Sequence, residues 1–424
     1  MRGMALPILL AMTCRLAQAT SPEAMAWLDH EIPPGTQSLA MGSALAPLAE
    51  DWSAAWHNPA ALAWRRRMEF NGGLDSRIRH EERSVSSDGE RASTRLSSSG
   101  LSHVGYVHPL PALRGGFCWA LGWTRQAQLD ASGRFPDGVW RVSEDGSGSE
   151  DMWLLSLAGQ WTADLAGGMS LAIHHQELER LDREENTLSG EKWLAHHHAT
   201  LEGLGARFSL AHRKGPLRLS LLVEPAYTLT VDYRQTNSWS HPDSLPRSGR
   251  EHSGYDLRRP LLFDLGLGWH RPGWQLAMAW DWQDWSAMRY EDLPNGEDLV
   301  LNQDALAKAF TPRQRLRLGA EWVLPAWELR LRGGLRCSWG GFSENEIADG
   351  STIGLRSWAY REDPRLALSG GLAYLMEERV ALEFSAERES WTRHWLDWAT
   401  TTQRSEVRQT VKRWQLRMGV LYRF

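Results

Sequence analysis

The sequence predicts an all-β fold: a transmembrane antiparallel β-barrel of about fourteen strands, with the N-terminal segment folded into its lumen. Three observations carry this. Between Trp274 and Trp282 every second residue is large and apolar (Trp274, Leu276, Met278, Trp280, Trp282), while Gln275, Ala277, Ala279 and Asp281 lie between them. Successive side chains of a strand point to opposite faces, so this segment is apolar on one face and polar or small on the other. The pattern returns in segments of about ten residues, the length a tilted strand needs to cross a bilayer. Second, the connections between these segments alternate short and long, as periplasmic turns and external loops do in barrels of the bacterial outer membrane. Third, 24 Trp stand against 8 Tyr and 9 Phe. That excess suits aromatic belts at two membrane interfaces better than a soluble core.

The bulk properties narrow the alternatives. A mean hydropathy of -0.45 and the absence of a long apolar run in the body exclude a helical membrane protein. A net charge of -5 offers no attraction to nucleic acid. At the N-terminus, Arg2, the apolar run from Ala5 to Thr13 and the A-x-A site Ala17-Gln18-Ala19 read as a signal peptide over 1–19, with the mature chain starting near Thr20. Thr13 and Arg15 make Cys14 a poor lipid-attachment site. By the pleat, Cys118 faces the lumen and Cys337 faces lipid, so no disulfide joins them. No metal-ligand spacing is present and no cofactor is expected.

The segment 20–64 has no place among the strands. It is rich in Ala, Gly and Pro, and left in water it would expose Leu39, Met41, Leu45, Leu48, Trp52, Trp56 and Leu62. Folded into the lumen it buries them and plugs the pore. Pro59 pushes Asn58 out of helical geometry, and the Asn58 side chain is then available to bond the turn it starts. Ala60 and Ala61 are small enough for the backbone to pass close to the wall.

The barrel then occupies 65–424. Strands are expected near 68–78, 101–110, 117–129, 153–161, 169–173, 204–210, 217–233, 261–269, 274–282, 316–324, 327–337, 366–374, 380–388 and 414–424. Short turns fall at 109–115, 162–167, 213–216, 271–273, 325–326 and 376–379. Long connections fall at 78–100, 130–151, 181–192, 234–256, 286–312, 341–364 and 390–409. An even strand number puts both termini on the periplasmic side. Trp269, Trp274, Trp322 and Trp327 belt that side, and Trp123, Trp282, Trp285 and Trp339 belt the other. The last strand alternates Trp414, Leu416, Met418, Val420, Tyr422 and Phe424, an apolar face ending in a terminal aromatic, which resembles the signal read by the barrel assembly machinery.

Alternation also sorts the charges. Arg315, Arg317, Glu321, Glu328, Arg330, Arg332, Arg336, Glu383, Glu387, Arg413 and Arg417 all fall on the lumen face. Buried charges need partners: they pair with one another along the wall, or they hold the plug through Glu50 and Asp51. His196-His197-His198 and His174-His175 point to alternate faces and cannot converge on a metal from one strand. Asp281 and Asp284 fall on opposite faces, and no nucleophile, base and acid can be placed together, so no enzyme is expected.

Residues 35–63 carry Ala40-Met41-Gly42, Ala49-Glu50-Asp51 and Trp56-His57-Asn58-Pro59-Ala60-Ala61-Leu62. They resemble the N-terminal hatch of the FadL-type outer-membrane transporters and their PorV-type relatives. Asp281-Trp282-Gln283-Asp284-Trp285-Ser286 resembles a strand end of the FadL-type group, and Arg317-Leu318-Gly319-Ala320-Glu321-Trp322 and Leu331-Arg332-Gly333-Gly334 resemble strands of both. The resemblance implies a fourteen-stranded barrel with a lumenal hatch in the outer membrane of a Gram-negative bacterium. FadL-type members take up long-chain fatty acids and other hydrophobic compounds and release them sideways through a gap in the wall. PorV-type members act in type IX protein secretion and have secretion-system proteins as partners. The stretch from Trp27 to Gly35 is closer to the PorV side, His57 stands where many relatives have Trp, Tyr or Arg, and the strand after Leu331 lacks an Asp-Pro common in fatty-acid carriers. The implied partners are therefore membrane lipid and either a hydrophobic ligand or a secretion protein. The implied gate residues are Gly42, Glu50, Asp51, Asn58, Pro59 and Ala60.

Overall fold

The computed structural model describes residues 33–85, 91–112, 115–128, 131–137, 140–291, 310–342, 361–377, 379–400 and 403–424. The signal peptide, Cys14 and residues 20–32 lie outside this set, as does most of the 286–312 and 341–364 connections.

Fourteen spans close one barrel. They are β1 (Glu69–Val85), β2 (Arg91–Leu110), β3 (Phe117–Gln128, continued by Ala131–Asp137), β4 (Trp140–Gln160), β5 (Leu165–Asn186), β6 (Lys192–Lys214) and β7 (Leu217–Glu224, then Tyr227–His241). They continue as β8 (Ser244–Arg259, then Leu262–Arg271), β9 (Trp274–Asp284, then Arg289–Glu291), β10 (Pro312–Leu324), β11 (Leu329–Trp339), β12 (Arg361–Glu362, then Arg365–Met376), β13 (Val380–Thr400) and β14 (Gln403–Arg423). Each pairs antiparallel with the next, and β1 pairs with β14 from Glu69↔Arg423 to Val85↔Val407, so no edge is left open.

The pleat sorts the side chains as expected. On β9, Trp274, Leu276 and Met278 are 39%, 49% and 42% exposed, whereas Gln275, Ala277, Ala279 and Asp281 are buried. Fully burying a leucine-sized side chain is worth about 1.5–3 kcal/mol. A wall studded outward with exposed leucines from every sector is stable only against lipid. Cys118 is buried on the inner face, Cys337 lies on the outer, and both are free thiols. Trp161, Trp269, Trp274, Trp322 and Trp327 stand exposed at the short-turn end.

The strands and their turns depart from the sequence expectations in three places. First, several long connections are strand. In the 234–256 stretch, Arg234 pairs with His252 and Thr236 with Arg250, so β7 and β8 form a ladder well beyond the apolar belt. The same holds for 181–192 and 390–409. Above the lipid both faces of a strand meet water, so the ladder persists without apolar alternation to announce it. Second, Trp285 is buried inside, beside Arg313, and does not belong to the external belt. Third, Glu328 is not on the lumen wall: it sits at the exposed β10–β11 turn with φ 53, where the pleat no longer applies.

Candidate functional site

Residues 33–63 are buried throughout except Glu50, and they pack against the inner faces of the strands. The segment holds two short helices, α1 (Thr36–Ala40) and α2 (Ala54–His57), and a 3-10 turn over Pro59–Trp64. Leu39, Met41, Leu45, Trp52 and Leu62 are fully shielded. Met41, Leu45, Trp52 and Leu62 share one apolar core with Val107, Cys118, Ala120, Met152, Leu154, Ala158, Ala172 and Ala211 of the wall. Small wall residues are what admit it. A Cβ on Gly122 would lie 2.2 Å from the Trp52 ring, and one on Gly334 would lie 2.0 Å from the Gly42 nitrogen. Gly42 itself has φ +60, and its own Cβ would fall 2.7 Å from the Leu335 nitrogen. Only glycine meets both demands.

The opposite side of the segment is held by polar groups. Arg417 Nη1 donates to the carbonyls of Pro33 (2.9 Å) and Gly35 (3.0 Å). Arg317 Nη1 donates to Ser43 O at 3.2 Å, while its other nitrogen pairs with Asp264 and Asp281. Glu321 is a hub: it accepts from Gln37 (3.2 Å), Gln275 (2.7 Å), Arg330 (3.2 Å) and Arg332 (2.6 Å), and Arg332 also reaches Glu383 at 2.6 Å. Ser369 Oγ accepts from Gly42 N at 2.9 Å and donates to Ala40 O at 3.0 Å.

The lumen arginines thus hold the segment by its backbone carbonyls, which no reading of charged side chains identifies. Asp51 is met not by an arginine but by Ser53, through its N–H at 2.9 Å and its hydroxyl, and by Asn71 Nδ2 at 3.1 Å. Glu50 contributes its carbonyl, which accepts from Arg65 at 2.6 Å. From Asp51 the network continues through Asn71 Oδ1 to His103 (2.6 Å) and on to Ser102 (2.8 Å), with Trp52 stacked on His103 at an interplanar angle of 2°. Ser102 is 2% exposed, so this serine–histidine contact is closed off inside the wall and orients the ring that Trp52 stacks on.

Asn58 is extended, with φ -167, but its side chain does not bond the turn it starts. Nδ2 reaches back to Ala46 O at 2.9 Å, tying the two halves of the segment together. Ala60 N donates to Ser209 Oγ at 2.8 Å, and Ser170 Oγ donates to Ala55 O at 2.7 Å. Between them lies Arg207, which donates to Trp56 O (2.8 Å), stands 4.4 Å from the Trp56 ring and pairs with Glu224 at 2.5 Å. Pleat parity from Phe208 and Leu210 turns Arg207 inward, but among the small inward residues Gly203, Gly205, Ser209 and Ala211 no local pattern marks it as a contact to the segment.

Arg207 also stands at an interruption in the wall. Gly203 pairs with Leu229 and Phe208 with Val223, so residues 204–207 have no ladder partner on β7. At the same level Pro225 divides β7, Pro260 divides β8 and a 3-10 turn over Trp285–Ala287 divides β9. Proline has no N–H to give the ladder, which fits both breaks. The histidines do not converge. His196 faces Glu179 (2.7 Å) and His198 faces Glu177 (3.4 Å) on the outer side, His197 meets Tyr233 OH (2.6 Å), and His174 stacks on Tyr227. Tyr422 and Phe424 lie on the outer face with their rings 4.8 Å apart.

No family model matches the sequence, and no curated relative is found by sequence comparison. The fold does have solved counterparts. A Pseudomonas aeruginosa FadL homologue superposes over 93% of this chain and 99% of its own, with TM-score 0.68 and 11% identity. The Pseudomonas putida toluene transporter TodX covers 92% of this chain and 98% of its own, with TM-score 0.66 and 13% identity. The Ralstonia pickettii toluene transporter TbuX covers 94% and 100%, with TM-score 0.59 and 14% identity. By its architecture, then, the chain has the closed fourteen-strand barrel fold of these solved FadL-type transporters.

Proposed function

We propose that this chain is an outer-membrane channel for uptake of hydrophobic compounds in a Gram-negative bacterium, with residues 20–64 as its hatch. One observation carries the reading: an apolar-cored segment is buried inside the barrel, and the inner wall on β4 and β6–β8 beside it carries an apolar stripe, the buried charges Glu150, Arg207, Glu224 and Arg259 of those strands being paired with one another. Met152, Leu154, Leu201, Leu229, Val231 and Leu257 line that sector, and it runs down to the interrupted level at Pro225 and Pro260. Desolvating an apolar solute there is favourable, whereas desolvating an ion is costly. The solved counterparts, toluene transporters and a FadL homologue, support the same class. Long-chain fatty acids and small aromatic hydrocarbons are the two candidate cargoes, and the sideways route into the bilayer is the expected exit.

The test is conductance and uptake together. The mature chain lacking 20–64, inserted in a planar bilayer, should conduct through a wide pore, while the full chain stays nearly closed. Cells expressing the full chain should accumulate labelled toluene or labelled oleate faster than cells without it. A truncated barrel that inserts and conducts no more than the full chain would refute the hatch. A second reading, a PorV-type component of secretion or surface attachment, draws on the ordered hairpin of β7 and β8 that stands above the lipid. Loss of surface-attached proteins with unchanged uptake of both cargoes would select it.

A further inference from the structure

At the periplasmic end of β5–β8, two cavities meet across the rim of the barrel. One is a groove of about 580 Å³ on the lipid-facing wall, and Leu165, Leu210, Leu221, Leu265, Leu267 and Met278 form it. It lies in the periplasmic half of the span: Leu165 opens β5, Leu210 is close to the end of β6, and Trp269 and Trp274 mark the interface beside it. The other is a small pocket of about 40 Å³ at the seam between the lumenal segment and the wall, lined in part by Trp64, Arg65, Arg213, Arg218 and His270 together with Glu50. The two share Ala211, His212 and Leu219. The guanidinium of Arg213 stands 4.3 Å from the Trp64 ring. Arg65 is turned to the Glu50 carbonyl at 2.6 Å, and Arg218 to the Gly215 carbonyl at 2.6 Å. Arg66, Arg67, Lys214 and Arg271 are exposed on the same rim.

This cation excess belongs to one sector. Across the rim, Arg423 is matched by Glu69 at 3.1 Å, and the neighbouring turns expose Glu328 and Glu377. Glu50 and Asp164 are the carboxylates beside these cations, and they leave most of Arg65, Arg66, Arg67, Arg213, Lys214, Arg218 and Arg271 unmatched, so the sector attracts a further anion. A guanidinium fork suits phosphate, and the groove is within the roughly 300–1,000 Å³ typical of small-molecule sites. We propose that the two cavities form one site for an anionic phospholipid of the periplasmic leaflet, its phosphate on Arg213 and Arg218 and an acyl chain in the leucine groove. The site is independent of what the channel carries.

The test uses the full mature chain in neutral detergent and native mass spectrometry, with dioleoyl phosphatidylglycerol, dioleoyl phosphatidylcholine and inorganic phosphate as probes. One phosphatidylglycerol should be retained per barrel, at least about ten-fold more tightly than phosphatidylcholine, or about 1.4 kcal/mol. Arg213→Gln with Arg218→Gln should erase that preference. Leu267→Trp, which fills the groove, should weaken both lipids alike. Heat-modifiable migration confirms that each variant is folded. On the unaltered protein the preference should shrink as salt rises. Equal retention of the two lipids, a preference that survives the double substitution or ignores salt, or displacement of phosphatidylglycerol by millimolar phosphate would each overturn the assignment.

Discussion

Replacing Arg207 tests whether the lumenal segment and the wall interruption are mechanically joined. Arg207 is 3% exposed and contributes to both. Toward the segment it makes a charge-assisted hydrogen bond to Trp56 O at 2.8 Å and a cation–π contact at 4.4 Å. The first is worth about 1.5–3 kcal/mol and the second about 0.5–1 kcal/mol. Losing both shifts segment release by about 2–4 kcal/mol, which is about 30- to 1,000-fold in the released population. Toward the wall it neutralises Glu224, also 2% exposed, at 2.5 Å. Removing one partner of a buried pair costs about 3–5 kcal/mol because the other charge stays behind. Arg207→Ala should therefore raise the frequency of channel openings in single-channel records by at least an order of magnitude and lower the temperature of the heat-modifiable transition. Adding Glu224→Gln should recover the thermal loss but not the closed state. Arg207→Lys, which keeps the charge and loses the planar contact, should fall between. A folded Arg207→Ala barrel with the opening frequency of the unaltered chain would refute this reasoning.

Other outcomes follow from the same contacts. Gly42→Ala places a Cβ 2.7 Å from the Leu335 nitrogen at φ +60. It should displace α1 from the wall and raise conductance without changing barrel insertion, read by heat-modifiability. Deleting residues 422–424 removes Tyr422 and Phe424 and the Phe424 N–H bond to Met68 O at 3.0 Å; the fraction of chain inserted in the membrane should fall sharply, and a normal yield of heat-modifiable barrel would count against an assembly role. External protease on intact cells should cut at the tip of the β7–β8 hairpin, where Leu245 is 87% exposed, and spare the 271–273 turn. Cleavage at that turn from outside would reverse the orientation.

What the sequence determined by itself is the wall. The face of each residue on a strand is a local property of the pleat. Trp274 to Trp282 therefore announced their lipid and lumen sides without any knowledge of their neighbours, and Cys118 and Cys337 could be placed on opposite faces. The turn at Pro59 was legible for the same reason, since proline restricts the residue before it wherever it stands. Pairing was not legible. Whether Arg417 meets a carboxylate or the carbonyl of Gly35 depends on the register of strands hundreds of residues away from that carbonyl, and on how deep the segment sits. Asp51 found Asn71, and Arg207 found Trp56 and Glu224, because tertiary packing brought those groups within 3.1 Å or less. The reach of the strands beyond the membrane was hidden as well. Apolar alternation records contact with lipid, and a ladder in water carries no such record, so only the folded barrel shows Arg234 paired with His252 above the belt.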